Sequence, residues 1–155
     1  MAKKYLEPPF TGPDPQVISI AVLPASTKGG GNCFAMPDVC ITPAAPSPIP
    51  IPYPNTGMLN QSKKTAKKVK MKGKETVTTK SEISRSMGDE AGTNKGVMSG
   101  TNMDKVKFLK GSSTVKVEGQ PCVHLTSMTS HNGASANMPA GVQVASSQTN
   151  VIVAM

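Results

Sequence analysis

A chain of 155 residues with no tryptophan and 3% aromatic residues suits one modest domain with a thin core, and leaves no room for a second large catalytic domain. Three cysteines are an odd count, and the start MAKKYLEPPF has lysines but no apolar stretch behind them, so neither a secretory leader nor a disulfide framework is expected. The longest uninterrupted apolar run, Val151 to Met155, is far too short to cross a bilayer, and the net charge of +8 is concentrated in one segment.

Residues 1–15 carry Pro8, Pro9, Pro13 and Pro15 and read as an irregular arm. β-branched residues then gather from Gln16 to Leu23, a first strand that Pro24 closes. Gly29, Gly30 and Gly31 make a turn or a close backbone approach; the spaced glycines ending in Gly-Lys-Ser/Thr that a phosphate loop needs are absent. From Cys33 to Asn55 the chain holds seven of its fourteen prolines. Proline lacks a backbone donor, so this run is neither helix interior nor central strand but extended chain. Ile49, Ile51 and Tyr53 alternate with the prolines, which argues for chain laid against a core rather than a solvated linker.

Eight of the seventeen basic residues are lysines between Lys63 and Lys80, opposed there only by Glu75. Lys67 to Lys72 and Glu75 to Thr79 predict a hairpin around Gly73, with Lys68, Lys70 and Lys72 on a solvated face. Such a patch can also meet phosphate or an acidic protein surface, but no aromatic side chain is interleaved for stacking, so nucleic acid is not expected. Ser81 to Met87 reads as a short helix or loop. Lys105–Leu109 and Thr114–Val117 alternate with Gly111-Ser112-Ser113 between them, which predicts a hairpin; Glu118 to Pro121 is a further turn leading into Cys122–Leu125. Val142–Val144 and Asn150–Val153 complete an all-β pattern.

The chain has two histidines, His124 and His131, with six residues between them, and the same gap separates Cys33 from Cys40. Cys₂His₂ is a ligand set of structural zinc, but both gaps exceed finger spacing, so two loops brought together by the fold are required. The plainer alternative is satisfied core or surface residues, and composition leaves both open. Catalysis has less support. The acid close to the thiols, Asp38, follows Pro37 and reads as a turn former, and Cys122 with His124 lacks an orienting third group.

The segment Cys33-Phe34-Ala35-Met36-Pro37-Asp38-Val39-Cys40, running through Thr42-Pro43 to Pro50-Ile51-Pro52-Tyr53-Pro54-Asn55, resembles the opening of the PAAR-like tip proteins of bacterial type VI secretion. Gly96-Val97-Met98-Ser99-Gly100, the blocks from Val106 to Gly119, and His124 to Asn132 resemble them in the same order, over about Gln16 to the C-terminus. The Pro-Ala-Ala-Arg repeats of the parent family are missing, with Pro43-Ala44-Ala45-Pro46 as an echo, and Lys63 to Lys80 has no place in the family pattern. The resemblance implies a small conical all-β domain over 16–155, seated as a monomer on the blunt end of the trimeric VgrG spike. It also implies structural zinc near the apex, with effectors carried on the cone directly or through adaptors. Carried over, the ligands are Cys40, His124 and His131, then Cys33, with Cys122 in reserve. The function so implied is a non-enzymatic tip, held in the bacterial cytoplasm before firing and then secreted across a target membrane. A small self-acting zinc hydrolase or toxin is the alternative, and a basic nucleic-acid-binding module a third reading.

Overall fold

The computed structural model describes residues 21–155; the arm over 1–15 and the start of the first expected strand lie outside them. Among the described residues the regular structure is strand, with one 3-10 turn at Leu59–Gln61 and no α-helix. Two long strands, β2 (Asn32–Thr42) and β3 (Ile49–Met58), pair antiparallel along nearly their whole length. They are the proline-rich run, which is therefore extended as expected but is itself part of a sheet. Pro50, Pro52 and Pro54 stand at every second position, so their missing N–H groups fall on one side. Ile49, Ile51 and Tyr53 are left to face β2, and the far side of β3 meets a neighbour only at Thr56 and Gly57.

β2 and β3 sit in an eight-stranded antiparallel sheet with β4 (Ser62–Lys63), β7 (Glu82–Ile83), β8 (Ser86–Met87), β9 (Val106–Phe108), β12 (Met128–His131) and β13 (Met138–Ala145). Its order is β4-β7-β9-β12-β13-β2-β3-β8. Two-stranded pairs surround it: β1 (Val22–Pro24) with β14 (Ile152–Ala154), β5 (Ala66–Met71) with β6 (Lys74–Thr76), and β10 (Lys116–Val117) with β11 (Gln120–Pro121).

Three local expectations are corrected. No helix forms over Ser81–Met87; Ile83 is fully buried in the core, and the segment supplies β7 and β8 instead. Lys105–Leu109 and Thr114–Val117 do not pair. Glu118 and Gly119, with φ of 50° and 79°, close the two-residue turn between β10 and β11, while β9 pairs with β7 and β12. The hairpin around Gly73 does form, but a bulge between Ala66 and Lys70 breaks its alternation and leaves Val69 exposed beside the lysines.

The interior is in three parts. Cys33, Leu59, Val77, Ile83, Val106, Phe108 and Val123 form one apolar cluster. Ala25, Ala66, Val117, Cys122 and Val153 form a second, smaller one. The third part is polar: Asp38, Asn55, Ser86, Asp89, His131 and Asn132 are all fully buried. Burying such groups costs free energy unless each finds a partner, so their connections define the site.

Candidate metal centre

The polar cluster is assembled from distant parts of the chain. β2 supplies Asp38 and Cys40, β3 Asn55, β8 Ser86, the segment after β8 Asp89, and β12 with the loop behind it His131, Asn132 and Asn137. Asp38 is the hub. Its Oδ2 accepts from Asn55 Nδ2 at 2.7 Å, and its Oδ1 accepts from Asn132 Nδ2 at 3.3 Å and from Asn137 Nδ2. Asn55 also donates to Ser86 Oγ at 3.0 Å, which leaves its carbonyl oxygen to accept from His131 Nδ1 at 2.7 Å. His131 is therefore protonated on Nδ1, and its Nε2 accepts from Thr129 Oγ1 at 3.0 Å. Burial holds its pKa down at about 4, so the ring is neutral near pH 7.

Cys40 lies between the two acids, its Sγ 3.8 Å from Asp89 Oδ2 and 3.9 Å from Asp38 Oδ1. Burial, then the charges of Asp38 and Asp89, push its thiol up to about 12. Asp89 Oδ2 accepts from Met103 N at 2.9 Å, but Asp89 Oδ1 is buried without a partner. Burial, with a smaller contribution from the charge of Asp38, outweighs the Met103 N–H bond and holds the Asp89 carboxyl above its ordinary range.

One donor atom from each of Asp38, Cys40 and Asp89 lies within 4.8 Å of the others, close enough to hold a metal ion. Among the described residues no other group of three histidine, cysteine or acidic side chains meets this test. The chemistry of the set fits a divalent cation. A thiolate and two carboxylates are zinc donors, the orphaned Asp89 oxygen faces no protein donor, and two acids buried so close need a cation or a proton between them.

The expected quartet does not converge. Cys33 and Cys40 do share one segment, but it is a strand rather than a loop, and the extended chain, with six residues between them, sets them roughly 20 Å apart. Cys33 instead packs in the first apolar cluster, where burial alone raises its pKa to about 12. Cys122 packs in the second, raised by burial to about 11. His124 bridges to Ala25, and its Nδ1 donates to the Leu125 carbonyl at 2.6 Å; it lines a surface groove with Lys110, Met128 and Met155. His131 does enter the polar cluster, but with both ring nitrogens engaged. Of the four, Cys40 alone stands in the metal-sized group, and Asp38 and Asp89 replace the rest. Asp38 stood out in the sequence as the acid between the thiols. Asp89, Asn132 and Asn137 carried no signal, because burial of a polar side chain is a tertiary outcome.

The fold and the buried hub belong to a defined class. The profile of the toxin PAAR-like domain family matches residues 31–140, and the chain belongs to this family. Every member of the polar cluster falls inside that match. The chain is similar to the DNase toxin Tse7 of Pseudomonas aeruginosa, 39% identical over 113 residues, which are 68% of this chain and 29% of the relative. The chain thus spans less than a third of that relative's length. No solved structure matches. The expectation of a protein without enzymatic activity is overturned by this relative, whose name is that of a nuclease. The missing catalytic constellation within the tip-like segments said nothing about activity elsewhere in such a protein. Among the described residues no helix is long and apolar enough to cross a membrane.

Proposed function

We propose that this chain is the PAAR-like tip of a type VI secretion spike and that it serves a toxin effector of the DNase class. It docks on the blunt end of the trimeric VgrG protein and travels with the spike from the bacterial cytoplasm into a target cell, alone or with an adaptor. The observation that carries this reading is the family match over 31–140, supported by a toxin-named relative that is similar over 113 residues. We extend the tip domain to 16–155. Beyond the matched residues, β1 and β14 close on each other, and Met155 N donates to Ala21 O at 3.0 Å.

The buried cluster gives the tip its rigidity. Asp38, Cys40 and Asp89 are the residues to hold zinc, which when bound neutralises the two acids and ties β2 to the segment after β8. Asn132 and Asn137 extend the tie. Asn137 Oδ1 accepts from Met98 N at 2.7 Å, and Asn132 Oδ1 accepts from Asp104 N at 3.4 Å, so the irregular chain from Gly96 to Asp104 is pinned to the same hub.

The test is delivery. Recipient cells attacked by a strain carrying the intact gene should show degraded chromosomal DNA, and Asp38→Ala, which strips the hub from three amides, should abolish this while leaving other effectors of the strain active. DNA degradation unchanged by that variant, or by deletion of the gene, would reject the assignment.

A further inference from the structure

The lysine segment lies within the matched residues 31–140 but takes no part in the metal cluster. All eight of its lysines are exposed, on and beside the ribbon formed by β5 and β6. Lys64 pairs with Glu82 at 3.1 Å; the other seven have no ion pair among the described residues. Lys28 joins them, since its backbone N donates to Glu75 O at 3.0 Å along the edge of β6. The two acids nearby offset only two of these nine positive charges. The Glu75 carboxylate is tied to the Thr65 hydroxyl, and Glu118 Oε1 accepts from Lys68 N at 2.7 Å, which anchors the bulge of β5.

The shape of the patch selects its partner. One depression on the ribbon is lined by Lys64 and Lys80 together with Glu118, and another by Lys28, Lys70 and Lys74 together with Glu75, so neither gathers cations alone around a single anion. A distributed polyanion therefore fits better than a small phosphate. A bilayer surface is disfavoured because membrane-seated elements insert Trp, Phe or Leu, and the apolar residues here are Val69 and the half-buried Met71. The missing aromatics count against single-stranded nucleic acid, where bases stack on rings, and not against a duplex, whose phosphates are met by Lys as point charges. A two-stranded β-ribbon is also an element that the major groove admits.

We propose that the β5–β6 ribbon binds double-stranded DNA through its phosphates without reading sequence. In part this rests on the toxin reading above, since a protein of the DNase class has its polyanion at hand once delivered.

The test is anisotropy of a labelled duplex with the full chain, titrated across salt. If about five lysines each neutralise one phosphate, the slope of log affinity on log salt is about −4.5, which is roughly a 500-fold loss between 50 and 200 mM. Lys67→Gln, Lys70→Gln, Lys72→Gln and Lys74→Gln together should bring the slope to about −1. A control of equal net charge, Arg85→Gln with Lys95→Gln, Lys107→Gln and Lys110→Gln, should keep the parental slope. Equal losses in both variants, no duplex binding at low salt, or a ribbon variant that loses binding to anionic phosphatidylserine vesicles but not to DNA would each overturn the proposal. Spike binding by both variants is measured in parallel. Its loss in all proteins, parent included, would count against the tip assignment and leave the DNA result standing.

Discussion

Asp89→Asn separates a metal centre from a cluster held by hydrogen bonds alone. The substitution keeps volume and the acceptor for Met103 N, and it removes one negative charge from beside Asp38 and Cys40. In chelator the variant should be at least as stable as the parent, because the amide ends the repulsion between two buried acids and can donate to one of them. With zinc at a hundred times its dissociation constant the parent gains about 2.7 kcal/mol, which for a domain of this size raises the melting temperature by roughly 5–10 °C. The variant, short of one ligand and one charge, should lose most of that rise. Differential scanning calorimetry of both proteins, with zinc and with chelator, reads the four melting temperatures. An undiminished zinc-induced rise in the variant would remove Asp89 from the ligand set. No rise in either protein would refute the centre.

Three further outcomes follow from the same geometry. His131 has a folded-state pKa of about 4 against an ordinary value of 6.5, so the unfolded chain binds the extra proton first. Stability present above pH 6.5 should be lost as pH falls toward 4, by up to about 3 kcal/mol, and His131→Gln should flatten that slope in denaturant titrations even though its stability at neutral pH is lower. A Cβ added at Gly92 would stand 2.3 Å from Cys40 Cβ, so Gly92→Ala should cost about 1–3 kcal/mol or more and reduce bound zinc, measured by melting and elemental analysis. The thiols of Cys33, Cys40 and Cys122 are fully buried and raised to about 12, 12 and 11, so a thiol reagent at neutral pH should modify none of them in the native protein and all three after unfolding.

The sheet was legible where residue chemistry dictates local conformation. Alternating prolines forced Pro50 to Pro54 into extended chain, and Lys72-Gly73 marked a real hairpin. What failed depended on which segment meets which. Ser81 to Met87 carries no strand signal of its own and becomes β7 and β8 because Ile83 fills a place between β4 and β9 while Ser86 is buried where β8 pairs with β3 at the sheet edge. Cys33 and Cys40 looked alike as thiols, yet a single strand carries one into apolar packing and the other to a pair of acids. The resemblance agrees with the family match over 31–140, but both it and residue type favoured histidines as ligands. The structure instead spends His131 on Asn55 and Thr129 and leaves the carboxylates next to the thiol.

The most direct test of the proposed tip role is the native mass of this chain mixed with a VgrG trimer from the same strain, with the spike in excess. A tip seated on the blunt end predicts a complex of one chain per trimer, retained in the control variants and lost when Asp38→Ala loosens the domain. No complex, or three chains bound per trimer, would contradict the account.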